Sequence, residues 1–154
     1  MYSPTPKVYG TQLADGKPLK MSKSYNNTVK IFAPDKELKK TIMGIETSST
    51  PMTEAMPTDD CLVFQMYCLF ASDAEQREMR ENYQRSDFGY GHAKKALATK
   101  VFDYFADART KYSKLLGKPN YLNEVLEDGA TRANAIATAK LNDMRNAVGT
   151  RRFN

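Results

Sequence analysis

The chain has 154 residues, of which 41% are hydrophobic and 27% charged, with a formal net charge of +5. This mix excludes wholesale disorder and suits one ordinary globular domain with a real core. No stretch approaches the roughly 18 to 20 uninterrupted apolar residues of a membrane span, and no signal-peptide-length apolar segment follows Met1-Tyr2-Ser3-Pro4-Thr5-Pro6-Lys7, so the expected setting is cytoplasmic, with no membrane partner.

The first 30 residues are rich in Gly, Pro, Ser, Thr, Asn and Lys and keep no period of 2 or 3.6. They read as loop, with at most a short strand near residues 7–9. Pro34 then suits a first helical turn, Asp35 and Glu37 suit its positive end, and Gly44 marks its stop. Residues 46–60 form a Pro/Ser/Thr linker whose closing Asp59 or Asp60 is suited to cap the next helix. An apolar helix is predicted over residues 61–71. Ser72 and Glu75 have the spacing of a capping box at the head of a polar helix ending near Ser86.

After the break Asp87-Phe88-Gly89-Tyr90-Gly91, the longest helix is predicted over residues 92–116. Leu97, Val101, Tyr104, Phe105, Ala108, Tyr112 and Leu115 recur at helical spacing before Gly117. Pro119 restarts a short helix expected to end at Gly129. A last helix carries Ala133, Ala137, Leu141, Met144 and Val148 on one stripe, and Gly149 releases a basic tail, Arg151-Arg152. The fold class is all-α: a helical bundle preceded by an irregular lysine-rich loop segment, with no sheet of consequence. The organisation follows as residues 1–44 with the lysine loop and a connecting helix, a linker over 45–60, and a helical domain over 61–154.

Charge is unevenly spread. Residues 1–44 hold eight Lys against three acids, a net +5; residues 45–87 hold three Arg against nine acids, a net −6; residues 88–154 hold twelve basic against six acidic groups, a net +6. Basic end segments suit polyphosphate or nucleic acid, although solvated surfaces carry such charge too. Cys61 and Cys68 are seven residues apart, about two helical turns or ~10.8 Å of rise, beyond the ~7 Å reach of a disulfide. Free, buried thiols are expected, and no metal site.

The sharpest local feature is Leu19-Lys20-Met21-Ser22-Lys23-Ser24-Tyr25-Asn26-Asn27-Thr28. Two lysines three apart, separated by a hydroxyl residue on a loop, bring two ammonium groups and several donors to one triphosphate. A basic Lys/Ser loop with no ligand has the same composition. The string Lys20-Met21-Ser22-Lys23-Ser24 matches, without departure, the second ATP motif of class I aminoacyl-tRNA synthetases. The surrounding residues resemble the bacterial-type tryptophanyl enzymes of that class. They include Tyr25-Asn26-Asn27-Thr28, Ile31-Phe32, Thr47 with Ser49-Thr50-Pro51, Gly89-Tyr90-Gly91 with Ala93-Lys94-Lys95 and Leu97, Gly129-Ala130 with Ala133, Ile136 and Ala137, and Arg145 with Ala147-Val148-Gly149. Two departures are Ser48, where an acid is expected, and Asn134, where arginine is expected.

The resemblance implies that Lys23 is the main pyrophosphate contact and Lys20 the second. Ser22 and Ser24 would supply donors and loop shape, and Met21 would anchor the loop by packing. Such lysines stabilise charge on departing pyrophosphate during adenylate formation. In the full enzyme of this family ATP is the substrate with Mg2+, tryptophan and tryptophan tRNA are partners, and the assembly is a homodimer. The class's first ATP motif needs a histidine at a helix start ahead of the lysine loop. The one histidine, His92, follows that loop and is expected at a helix start instead. No strand–helix alternation of a nucleotide-binding sheet precedes it. The chain is therefore expected to be a C-terminal portion, inactive and monomeric by itself, with no tightly bound cofactor.

The resemblance gives the helical region to the anticodon side of the tRNA. Lys94, Lys95, Lys100, Arg109, Lys111 and Lys114 form a basic side of the long helix, with Lys94, Lys95, Arg109 and Lys111 as the leading tRNA contacts. Tyr90, Tyr112 and Tyr121 are available to stack on splayed bases. A self-standing helical RNA-binding module and a helical interaction domain remain as alternatives.

Overall fold

The structure, a computed structural model, describes residues 7–51 and 54–150. The expected tail Arg151-Arg152, the first six residues and two positions of the 46–60 linker lie outside the described residues. Strand β1 (Tyr9–Ala14) and strand β2 (Lys17–Lys20) form an antiparallel hairpin pairing Tyr9 with Lys20, Leu13 with Pro18 and Ala14 with Lys17. The expectation of a mere loop here is corrected. Asp15 (φ 51°) and Gly16 (φ 74°) form the two-residue turn, and this Asp-Gly pair is a strong hairpin signal because positive φ at both turn positions matches the strand twist. Pairing is irregular between Tyr9 and Leu13, which breaks the alternation that would otherwise mark a strand in the sequence.

Helix α1 (Asp35–Met43) starts after Pro34, carries Asp35 and Glu37 in its first turn, and buries Leu38 and Ile42. Helix α2 (Leu62–Cys68) is shorter than predicted. Leu69 and Phe70 donate their N–H groups to Met66 and Tyr67, three residues back, at 3.2 and 3.0 Å. That tightening ends the helix so that the chain can turn extended at Ser72. Neither Asp59 nor Asp60 caps α2; the N-cap is Cys61, without a side-chain cap. The Asp59 carboxylate instead accepts from Thr58 Oγ1 at 3.3 Å, and its carbonyl accepts from Gln65 Nε2.

Helix α3 (Asp73–Tyr83) has the predicted capping box. Ser72 N–H donates to Glu75 Oε2 at 2.9 Å, and Glu75 N–H donates to Ser72 Oγ at 3.5 Å. The other carboxylate oxygen takes Lys100 from α4 (Tyr90–Leu116). Hydrogen bonding from Lys100 first, then from the Ser72 backbone and side chain, draws the Glu75 pKa down to about 2. The α4 stripe buries Ala93, Leu97, Ala98 and Val101, whereas Tyr104 and Tyr112 are exposed.

Helix α5 (Pro119–Val148) runs straight through Gly129, so the expected stop and the two separate helices are corrected to one. A glycine in a helix interior costs about 1 kcal/mol. That cost does not stop a 30-residue helix; beside the glycine, Arg132 pairs with Asp128 at 3.1 Å, and Thr131 Oγ1 donates to Glu127 O at 2.9 Å. Gly149 adopts φ 72° and ends the helix, with Thr150 N–H reaching back to Arg145 O at 3.0 Å, a left-handed cap that glycine supplies without strain.

The chain divides into two compact units at Arg109–Thr110, inside α4. In the first, Leu38, Ile42, Ile45, Met56, Leu62, Val63, Tyr83 and Leu97 are essentially inaccessible. Tyr83 is the hub. Its ring meets Phe64 edge-on at 5.5 Å, with Phe88 at 6.0 Å and Tyr90 at 6.3 Å. Its carbonyl accepts Met56 N–H at 2.9 Å, and burial pushes the phenol pKa up. Cys61 is buried and Cys68 half-buried; both are free. In the second unit the stripe of Leu141, Met144 and Val148 exists but is exposed, and no residue of α5 is buried.

Leu97→Ala should cost about 2 to 5 kcal/mol of unfolding free energy in a urea titration, by leaving a cavity at a fully buried site. Ser72→Ala should cost about 1 kcal/mol through loss of the cap. Because the Glu75 pKa is depressed, its contribution is complete above the ordinary value near 4.5 and is lost as pH falls toward 2. Glu75→Gln should therefore flatten the acid limb of a stability-versus-pH curve.

Candidate functional site: the lysine loop and the basic side of helix α4

The lysine loop leaves the hairpin at the end of β2. Lys20 is the last residue of that strand, and Lys23 opens a single 3-10 turn, Lys23–Tyr25. Both lysines are exposed, and among the described residues neither is ion-paired. Met21 is half-buried. The hydroxyls of Ser22 and Ser24 bond each other at 2.8 Å.

The loop's backbone is largely committed to itself. Tyr25 N–H donates to Ser22 O at 3.3 Å, Asn26 N–H to Lys23 O at 3.1 Å, and Ser22 N–H to Asn27 Oδ1 at 2.8 Å. A phosphate arriving here would meet two ammonium groups and two hydroxyls. Asn27, a residue of the loop string to which the sequence assigns no role, is 0% exposed. Its side chain also donates from Nδ2 to Lys20 O at 3.1 Å, and its carbonyl accepts Thr11 N–H at 2.9 Å. A buried amide near a loop rich in backbone groups is the signal that could have found it: such a group must be hydrogen-bonded at both ends.

Glu46 also fastens β1: Thr11 O accepts Glu46 N–H at 2.9 Å and Leu13 N–H donates to Glu46 Oε2 at 2.7 Å. The strand bearing the loop is thereby joined to the chain that leads into the core.

The four leading basic candidates separate into two kinds. Arg109 is only 17% exposed in its side chain: its guanidinium bonds Ile31 O, Ala33 O at 2.9 Å and the Asp35 carboxylate, and lies over the Phe102 ring at 5.4 Å. Lys94 donates to Met43 O at 3.2 Å, and burial lowers its pKa. Lys95 and Lys111 are exposed, and Lys100 is held by Glu75. Tyr112 and Tyr121 are 41% and 52% exposed. Tyr90 is not free to stack: its hydroxyl bonds Ser48 Oγ at 2.6 Å and its ring meets Tyr83. Ser48, the residue found where an acid was expected, also bonds Thr50 Oγ1 at 2.7 Å. Asn134 is exposed on α5. His92 sits at the start of α4, where its Nδ1 accepts Gly89 N–H at 3.3 Å. Among the described residues no group of three or more His, Cys, Asp or Glu could hold a metal ion, and no helix is long and apolar enough to cross a membrane.

No family model matches the chain. It is 42% identical over 130 residues to a tryptophan--tRNA ligase of Campylobacter jejuni, covering 84% of this chain and 41% of that protein. It is 44% identical over 146 residues to the corresponding ligase of Rhodopirellula baltica, covering 94% and 44%. The crystal structure of tryptophanyl-tRNA synthetase from Campylobacter jejuni complexed with ADP and tryptophan superposes with a TM-score of 0.84 at 38% identity, over 96% of this chain and 45% of that one. The chain thus spans about two-fifths of the length of the curated relatives it matches.

Arg109→Ala should remove three acceptor contacts of a largely buried cation. It should cost about 2 kcal/mol and speed amide exchange selectively over residues 31–38.

Proposed function

The chain belongs with the tryptophan--tRNA ligases and matches their C-terminal part, and from that premise we propose that it supplies the ATP-phosphate loop and an anticodon-side tRNA surface to tryptophan activation and transfer. The observation that carries the reading is the unbroken string Lys20-Met21-Ser22-Lys23-Ser24 at the exposed end of a hairpin, with both ammonium groups unpaired among the described residues.

Adenylate formation joins the tryptophan carboxylate to the α-phosphate of ATP and releases pyrophosphate. Negative charge grows on the departing group as the bond breaks. Lys23 is taken as the principal contact to it and Lys20 as the second, each stabilising the transition state more than the ground state. The hydroxyls of Ser22 and Ser24, bonded to each other at 2.8 Å, can turn to donate to phosphate oxygens. Met21 would anchor the loop from its half-buried position. Mg2+ supplies further charge neutralisation when bound with ATP, but this chain's described residues offer no cluster of their own to hold it. Tryptophan and a nucleotide-binding core complete the reaction in the full enzyme, for which a homodimer in the cytoplasm is the expected form.

For the tRNA surface, the engaged state of Lys94 and Arg109 shifts the weight to Lys95 and Lys111, whose side chains are exposed. Arg109 and Lys94 then serve by holding α4 against the segment that follows the lysine loop. A helical interaction module is the second reading, favoured by the exposed Leu126, Ile136 and Val148 on α5; it predicts concentration-dependent self-association and no binding of RNA.

In the full-length ligase, Lys23→Ala should slow tryptophan-dependent pyrophosphate exchange about 10²- to 10³-fold; an unchanged rate removes the assignment of the loop. Titration of tryptophan tRNA at several salt concentrations should give, for Lys95→Ala and for Lys111→Ala, a binding slope shallower by roughly 0.7 to 0.9 per phosphate that the lysine neutralises. Equal slopes in the variants and the parent would take these two lysines off the tRNA surface.

A further inference from the structure

We propose that Asn27, seated on Gly10, is a positioning residue that sets the geometry of the lysine loop for ATP; this rests on the reading of the loop given above. Asn27 is the one polar side chain that is fully buried among the described residues. Its single amide holds two backbone points that flank Met21: Oδ1 accepts Ser22 N–H at 2.8 Å, and Nδ2 donates to Lys20 O at 3.1 Å. The bonds run in opposite senses, donor to acceptor and acceptor to donor. Only a neutral carboxamide of this length satisfies both. An aspartate in the same volume keeps the bond to Ser22 and turns an oxygen toward the Lys20 carbonyl.

The seat beneath Asn27 is equally specific. A Cβ at Gly10 would lie 2.3 Å from Asn27 Cγ, 2.4 Å from Nδ2 and 2.5 Å from the Asn27 carbonyl oxygen. Since the last of these is backbone, no rotamer change relieves it. Gly10 is therefore a place where any side chain would displace the amide. The next residue of the strand, Thr11, donates its N–H to Asn27 O at 2.9 Å and closes the arrangement from the main chain. Asn26, with φ 49°, reverses the chain direction so that Asn27 enters beneath the loop it holds. Asparagine tolerates this left-handed conformation better than most residues.

The consequence is a division of labour within eight residues. From Lys20 to Ser22 the backbone is tied at both ends to the buried Asn27 amide, and between them Met21 N–H donates to Val8 O at 3.0 Å, while the exposed turn Lys23–Tyr25 carries the second lysine. Lys20 and Lys23 thus leave from a base whose geometry is established before any phosphate arrives. The ordering entropy of that base is met on folding and not on ATP binding. Loss of the amide should weaken ATP capture and adenylate formation without touching the later transfer of tryptophan to tRNA, which makes no demand on the pyrophosphate site.

The test compares wild type, Lys23→Ala, Asn27→Ala and Asn27→Asp in the full-length ligase. It uses ATP-dependent pyrophosphate exchange, and transfer from preformed tryptophanyl adenylate to tRNA. Asn27→Ala should raise the KM for ATP roughly 10- to 100-fold, the size of two missing hydrogen bonds, and Asn27→Asp about 10-fold, the size of the one it loses, with the transfer rate unchanged in both. A role in overall folding alone would lower the active fraction and both rates together and leave the KM for ATP where it was. Slow exchange in Lys23→Ala beside normal ATP kinetics in the Asn27 variants would overturn the positioning role and leave the loop's function standing. Normal exchange in all three variants would overturn the loop's function and this role with it. If the Asn27 variants do not fold, amide exchange in the unsubstituted protein decides: Ser22 N–H should exchange at least about tenfold more slowly than Lys23 and Ser24 N–H, and equal rates would overturn the proposal.

Discussion

A buried primary amide has to find a donor and an acceptor at once, and the lysine-loop end of this chain is arranged around that demand at Asn27. The amide joins the two ends of the Lys20–Ser22 segment, and the Asn27 carbonyl joins the loop to β1. β1 is also fastened through Thr11 and Leu13 to Glu46, and it packs against α2. Through this series of bonds, a loop of exposed cations is referenced to the apolar core. In the proposed role the arrangement reconciles two opposed needs: ammonium groups must stay in water to be available to phosphate, whereas the backbone that aims them must be fixed.

The core of the first unit meets the same need for fixed geometry with other forces. Tyr83 brings α2, α3 and the start of α4 to one aromatic centre, and its geometry is edge-on, as ring quadrupoles favour. Around that centre, charged side chains act as ties. Lys100 completes the Glu75 capping box, Arg109 grips the segment between the lysine loop and α1, and Lys94 closes on the end of α1. Three of the cations that make the chain look basic are therefore engaged in holding the fold. Lys95 and Lys111 remain exposed on α4, and the proposed tRNA surface rests on them.

The second unit differs in kind. Its long helix α5 exposes Val125, Leu126, Ile136, Met144 and Val148, and it continues through Gly129, whose cost of about 1 kcal/mol is spread over a 30-residue helix. The cap at Gly149 is, by contrast, a local rule that holds in full, since only a left-handed residue lets Thr150 N–H return to Arg145 O.

Features that depend on near neighbours along the chain are legible in the residues themselves. These are the capping box of Ser72 and Glu75, the helix starts after Pro34 and Lys118, the glycine stop at Gly149, the fully buried Leu97 and Val101, and the five-residue lysine motif with the family resemblance around it. Each rests on interactions spanning five residues or fewer, on helical periodicity, or on the identity of consecutive residues. The Asp15–Gly16 turn belongs to the same class and is obscured by the composition of its surroundings. The distribution of work among the cations is of another class. Nothing near Arg109 in the chain announces Ile31 and Ala33 as its partners, 78 and 76 residues away, and nothing near Gly10 announces Asn27 against it. Residue type states what bonds a side chain can make; which of them it makes depends on what three-dimensional packing brings within about 3 Å.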